Sequence, residues 1–235
     1  MSTPQNDNDF DHNASPFNAL PIAVVGLVMV IVAVEIILSL ASSGLIGGPE
    51  AIAWRRDAIL DYSVLGQIIT PYLETGRYEP EVLGRFVTYS FVHQNFTSMA
   101  FVAVFILALG KMTAEAFGNF AFLLIYFAST IVGAVLYWMI FREEAVLIGG
   151  YVGAFGLIGA FTFVRWVSLS LNGSKQYQAF YLIGMFMGLR LVFGVLFGGS
   201  NDWVAELIGF FVGFFLSFVL VPGGAKAILV KLRRS

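Results

Sequence analysis

An all-α protein that crosses a membrane six times is what this sequence predicts, and three observations predict it. Of its 235 residues 58% are hydrophobic and only 12% are charged, with a mean hydropathy of +0.83. Six apolar runs approach the roughly 20 residues that a spanning helix needs. Most of the charges lie between and beyond those runs, and only Glu35, Arg165, Arg190 and Glu206 fall inside them. A soluble domain carries roughly 25% charged residues, so half that share cannot cover a surface that faces water.

The elements follow in order. Residues 1–15 are polar and acidic, with Asp7, Asp9 and Asp11 and no lysine or arginine. They have little to bury and read as a disordered tail; without a positive n-region they do not form a secretory signal. The membrane domain is expected over residues 16–221. Its first span runs from Pro16 to Leu40 and holds Glu35 near its far end, placed to snorkel toward water. A long connection, Ala41 to Arg85, comes next, with Trp54 beside Arg55 and Arg56 and an amphipathic run through Leu65, Ile68, Ile69 and Tyr72. An aromatic body next to charged tips suits the headgroup layer. The connection therefore reads as a loop lying on the membrane, or as a lateral platform for a partner helix.

The further spans are expected at Phe86–Leu109, Ala116–Phe141, Ala145–Leu169, Ala179–Phe197 and Trp203–Leu220. Residues 222–235 form a basic tail with Lys226, Lys231, Arg233 and Arg234. Lysine and arginine favour the cytoplasmic side of a membrane, so this tail, with Lys111, Arg165 and Lys175, predicts cytoplasmic N- and C-termini. Arg55, Arg56 and Arg77 then fall outside, against that trend. A bacterial inner membrane is the expected location.

Composition also excludes function classes. There is no cysteine, hence no disulfide or thiolate site, and the two histidines, His12 and His93, are too few for a histidine-based metal site. A formal net charge of −2 argues against nucleic-acid binding. No cofactor is expected, and membrane lipid is the one partner that composition requires.

Motifs narrow the reading. The stretch Gly149–Ala160 reads GGYVGAFGLIGA, and residues 205–213 read AELIGFFVG. The glycines at 149, 153, 156, 159, 209 and 213 have a structural explanation: Gly149, Gly153, Gly156 and Gly159 would let the fourth span approach Gly209 and Gly213 of the sixth closely. Arg85-Phe86-Val87-Thr88-Tyr89-Ser90-Phe91-Val92-His93, the Trp54-Arg55 pair, and Glu115 with Gly118 complete an ordered set. Together these resemble the rhomboid intramembrane serine proteases, whose nucleophile motif is Gly-x-Ser-Gly-x-x-Phe-Gly and whose histidine motif is Ala-His-x-x-Gly-x-x-x-Gly. The resemblance implies a six-helix rhomboid-like bundle with a long outer first loop. It also places Tyr151 where the serine stands and Glu206 where the histidine stands. By the same register Ser98 and Val102 occupy the oxyanion-side positions, and His93 matches a family histidine outside the dyad, with a capping or hydrogen-bonding role.

A rhomboid nucleophile needs a base to take its proton and donors to hold the oxyanion. Tyrosine beside a carboxylate is a nucleophile in sialidases, but a carboxylate is a weak base toward a phenol and Val102 donates nothing. Tyr151 is expected to fill the recess and to hydrogen-bond Glu206 across the two helices. Arg190 is expected to pair with Glu206 or Asp202, or to face a charged group on a partner. The resemblance to inactive rhomboids and derlins then implies a protein that binds transmembrane clients and influences their trafficking or degradation. Two alternatives stay open: an accessory or assembly subunit of a larger membrane complex, and a protease with non-standard residues.

Overall fold

The computed structural model describes residues 20–197 and 200–221. The acidic tail 1–15, the start of the first span at Pro16 and the basic tail 222–235 lie outside the described residues. The first span is α1 (Ile22–Ser42). The long first connection is not an open loop. It folds as a 3₁₀ turn (Pro49–Ala53), α2 (Trp54–Tyr62), β1 (Val64–Leu65), α3 (Gly66–Glu74) and α4 (Pro80–Thr88). It has its own small core, in which Val64, Ile69, Val82 and Phe86 pack against Tyr137 and Trp138 of α6 (Asn119–Phe141). Trp138 Nε1 donates to Thr70 Oγ1 at 3.0 Å, so the apolar contact is pinned by a buried polar one.

The predicted second span is displaced. The apolar run from Phe86 to Leu109 contains a break: α4 stops at Thr88, a 3₁₀ turn covers Tyr89–Phe91, and α5 runs from Phe96 to Phe117. The break falls at the polar run His93-Gln94-Asn95, which the expected span ran through, and Tyr89, Ser90, Val92 and His93 are buried although they belong to no spanning helix. The cause is local. Asn95 is an N-cap whose side chain accepts from Ser98 N at 2.9 Å, satisfying one of the amides that a helix start leaves free. The fourth span is likewise shortened at its start. Val146–Leu147 form β2, paired antiparallel with β1, and α7 begins only at Tyr151 and runs to Leu171.

The fifth and sixth spans are α8 (Tyr181–Phe197) and α9 (Trp203–Leu220). Among the described residues five helices are at least 18 residues long and apolar enough to span. The sixth, α8, has 17 residues, about 25 Å at 1.5 Å per residue. Alternating passes put the first connection, residues 142–150 and residues 200–202 at one face, called here the first-loop face.

Helix α7 is the centre of the bundle, buried along nearly its whole first half from Val152 to Ala160. It packs most closely on α9, because glycines remove the side chains that would separate them. A Cβ on Gly213 would collide with the Gly156 carbonyl, one on Gly159 with the Phe210 carbonyl, and one on Gly209 would lie 2.5 Å from the Val152 carbonyl oxygen. Lipid tails are as apolar as leucine, so helices in a membrane associate by such close packing rather than by escaping water.

Two of the glycines expected at this contact are found elsewhere, and the expectation is corrected for both. Gly153 serves the neighbouring contact with α6: a Cβ there would lie 2.5 Å from Tyr126 Cε2 and 2.6 Å from Thr130 Oγ1. The reason is helical phase. At 3.6 residues per turn, position 153 is rotated by about 60° from Gly156, which turns it off the α9 stripe and toward α6. Gly156 stands between the two helices, touching Ser129 of α6 as well as α9. Gly149 precedes α7 altogether, and a Cβ there would meet the His93 ring, 3.1 Å from Cδ2.

Large apolar residues such as Phe101, Phe120, Ile140, Met185 and Phe215 are exposed on the outside, as a bilayer solvent requires. Three buried hydroxyls inside the helices are satisfied locally: Thr113, Thr130 and Ser217 each donate to the carbonyl four residues back.

Gly213→Val is expected to lower the thermal unfolding temperature in detergent, by an overpacking penalty of about 1–3 kcal/mol. Gly184→Val on α8, where an added Cβ meets nothing within 4 Å, is the control and should leave the unfolding temperature nearly unchanged. Equal effects of the two would contradict the backbone contact between α7 and α9.

Candidate functional site

The two motif segments meet at the first-loop end of α7. Gly149 has φ +92, a conformation that glycine adopts without strain, and its N–H donates to the Tyr89 carbonyl at 2.9 Å. Gly150 N–H donates to His93 Nε2 at 3.3 Å. These bonds fix the turn so that Tyr151 becomes the first residue of α7. A Cβ on Gly150 would lie 2.7 Å from Tyr126 Oη and 3.0 Å from the Ser90 carbonyl oxygen and from a Val102 methyl, so the turn is tightly enclosed. Gly153 extends that enclosure one step into the helix, by letting the Tyr126 ring lie flush against α7.

Tyr151 does not hydrogen-bond Glu206, contrary to expectation. Its hydroxyl donates to the Ser98 carbonyl at 3.3 Å and receives Ser98 Oγ at 3.5 Å, both long contacts. The physical reason is a stronger partner for Glu206: the Arg190 guanidinium. Arg190 extends from the same stripe of α8 as Ile183, Phe186 and Met187, which pack inward. Its Nη2 is 2.6 Å from Asp202 Oδ2 and its Nε 3.1 Å from Glu206 Oε2. The second approach is within ion-pair range but is not aligned as a hydrogen bond, and Glu206 Oε2 makes no hydrogen bond. An intramembrane carboxylate needs a cation more than it needs a phenol. Arg190 therefore meets both of the acids anticipated for it.

Tyr151 and Glu206 do border one space, together with Tyr89, Ile148, Gly149 and Asp202. Its volume is about 10 Å³, at the lower limit for a single water. Val102 is fully buried beside this turn. Among the described residues the Tyr151 hydroxyl is hydrogen-bonded to Ser98 and to no base. Ser90 donates to the Val87 carbonyl, Ser129 is buried against Gly156, and His93 Nε2 is occupied by Gly150 N–H, so neither serine is paired with an imidazole.

A second polar cluster ties the first connection to α1. Glu35 was expected to snorkel, yet it is only 1% exposed. Arg55 grips it with two bonds, Nη2 to Oε1 at 2.7 Å and Nη1 to Oε2 at 3.0 Å. The same guanidinium donates to the His93 carbonyl at 2.9 Å and to Ser39 Oγ at 3.0 Å, and Ser39 Oγ donates back to Glu35 at 2.8 Å. Snorkelling fails because water is farther away than this planar, bidentate partner. The sequence held a signal for the cluster: Ser39 stands one helical turn after Glu35, and an intramembrane acid implies a partner. Trp54, at 41% exposure, stays at the surface next to it.

His93 is buried, and desolvation is the first reason that its imidazole is held down, to about 4; nearby Glu35 and the Phe91 backbone partly oppose this and Arg55 adds to it. Neutral Nε2 can accept the Gly150 N–H; the protonated ring cannot.

Among the described residues no group of three His, Cys, Asp or Glu is placed to hold a metal ion. What the site defines is a class: polytopic helical membrane proteins in which a glycine-framed turn starts a central helix against a second glycine-rich span. Within that class, the Rhomboid domain model matches residues 80–223, more than half of the chain. The chain belongs to the rhomboid family. No curated protein sequence matches it.

Stability should depend on His93 with a definite sign. An unfolded chain protonates this histidine near pH 6.5 and the folded protein near 4. Stability is therefore complete above pH 6.5 and falls as pH drops toward 4, by up to about 3 kcal/mol. His93→Gln, whose amide oxygen can still accept from Gly150, should flatten that slope in thermal unfolding between pH 4 and 7. An unchanged slope would remove His93 as its source.

Proposed function

We propose that this chain is a catalytically inactive rhomboid-family protein that captures the transmembrane helices of other proteins and serves their trafficking or degradation. One observation carries the reading. The positions of the catalytic pair hold Tyr151 and Glu206, whose side chains are engaged by Ser98 and Arg190, and the space they border is about 10 Å³. Hydrolysis needs an activated nucleophile, a water and an oxyanion hole. Here the hydroxyl faces a backbone carbonyl, Val102 stands at an oxyanion position, and the space for water is minimal. A family bundle retained around such a site supports binding rather than bond cleavage.

The test is a paired measurement on protein purified from its native membranes in mild detergent. A fluorophosphonate probe should label no serine, and quantitative mass spectrometry should find several substoichiometric single-span proteins. Labelling of Ser98 or any other serine would sink the inactive reading. One complex at near-equal stoichiometry would replace client capture with a subunit role.

The reading carries an orientation: both termini cytoplasmic in a bacterial inner membrane, with the first-loop face outside. Lys111, Arg165, Lys175 and the basic residues after α9 support it. The absence of cysteine makes the test clean. In intact cells a membrane-impermeant maleimide should label Ser43→Cys and spare Asn172→Cys; the reverse pattern would invert the topology.

A further inference from the structure

His93 stands where the Arg55 cluster meets the turn that starts α7. Its ring accepts the Gly150 N–H through Nε2 at 3.3 Å and so fixes that turn. Its backbone carbonyl accepts from Arg55 Nη1 at 2.9 Å, and the same guanidinium grips both carboxylate oxygens of Glu35. The first connection, α1 and the α7 turn are thus joined at one fully buried residue.

This arrangement suits a neutral ring and no other. Nε2 accepts only when it carries no proton, so the ring proton is on Nδ1. Nδ1 is buried and makes no hydrogen bond, although the Phe91 backbone lies nearby. A second proton turns Nε2 into a donor that faces the Gly150 donor, and Gly150 N–H makes no other hydrogen bond among the described residues. The charged groups around the ring come from two elements: Glu35 on α1 and Arg55 on α2. The α7 side presents Gly149 and Gly150, and the tyrosines around the turn, Tyr89, Tyr126 and Tyr151, carry no charge in acid. Glu35 is therefore the anion open to an imidazolium, and Arg55 already holds both of its oxygens. The two cations would share one carboxylate while repelling each other.

We propose that His93 is an acid-operated latch: protonation of its ring releases Gly150, weakens the hold of Arg55 on Glu35, and lets the α7 turn and α2 move together while the bundle stays folded. The bundle persists because Gly156 and Gly213 join α7 to α9 through uncharged backbone packing. Opening the turn admits water to the narrow space beside Tyr151, which the closed turn limits to about 10 Å³. Burial holds the imidazole down to about 4. The latch is accordingly closed at neutral pH and opens as the pH at the first-loop face falls through that value. This regulation stands whether or not the chain binds transmembrane partners.

His12 and His93 are the two histidines of the chain, so His12→Gln leaves a single imidazole to follow by NMR in the full chain in detergent. Hydrogen exchange read by mass spectrometry, corrected for its intrinsic pH dependence, is measured over the same range, from about pH 7 to about pH 3. Expected are an imidazole midpoint near 4 and, with the same midpoint, exchange about tenfold faster in peptides covering α2 and residues 149–153. Peptides covering residues 156–163 of α7 and 209–217 of α9 should stay unchanged. His93→Gln keeps an acceptor for Gly150 and gains no charge, so the acid-quickened exchange should vanish from both regions. Exchange that stays slow in α2 and the turn would overturn the latch. Quickening of all peptides at once, which is acid unfolding, would overturn it too. Equal quickening in His93→Gln would assign the effect to carboxylates, with the same consequence. If that variant unfolds below the parent temperature at neutral pH, the parent decides alone: imidazole and exchange midpoints more than about one pH unit apart would remove His93 as the latch.

Discussion

Gly156 and Gly213 bring the backbones of α7 and α9 into contact, and the other helices are arranged around that contact. In water two helices are driven together by burying apolar faces; in lipid that drive is absent and only dense packing and polar bonds remain. The glycines supply the packing. Because α7 is held so tightly, its first turn is held too, and with it Tyr151, Gly150 and the bond to His93. A looser pair of helices would leave the site without a fixed floor. Helix α6 closes the same centre from the other side, with Gly133 against Val152 and Ala205, and Gly153 against Tyr126 and Thr130.

Around this packed centre stand two ion-pair clusters, and each ties a peripheral element to it. Arg55 joins the first connection to Glu35 on α1 and to the carbonyl of His93. Arg190 joins α8 to Asp202 and Glu206 at the start of α9. An unpaired charge in the hydrocarbon region is expensive, so each arginine has only a few positions in which it is tolerated. Such pairs specify arrangement more than they add stability. Helix α8 shows the division of labour: Phe186 packs against Phe105 and Phe155 for adhesion, and Arg190 one turn later sets the register.

On the proposed reading, the family frame and the chemistry of the site have come apart in this chain. The turn, the central helix and the small-residue contact survive, and they are demanding features for a bundle to maintain. The reactive positions hold a phenol on a backbone carbonyl and a carboxylate beside a guanidinium. Glu206 in place of a histidine makes Arg190 useful, and Arg190 in turn draws Glu206 away from Tyr151.

The sequence by itself determined the membrane class, the order of the spans and the ends of α9, since apolar length and flanking charge are local properties. It also carried the motif frames in which Tyr151 and Glu206 stand, from which the resemblance assigns them to the positions of the catalytic pair. The pairing of Arg190 was legible as well, as an intramembrane charge has few neighbours to choose from. Four matters were decided only by tertiary structure. Residues 89–93 are largely buried without being a spanning helix, held by bonds to Thr130 and Gly149 that lie far away in sequence. The division of the α7 glycines, Gly156 and Gly159 to α9 and Gly153 to α6, depended on how the helix is rotated among its neighbours. The capture of Glu35 by Arg55 required a loop to fold back across twenty residues. The choice of Glu206 between a phenol and a guanidinium depended on the side from which α8 approaches. Each is a competition among long-range partners, and a linear pattern contains the competitors but not the distances between them.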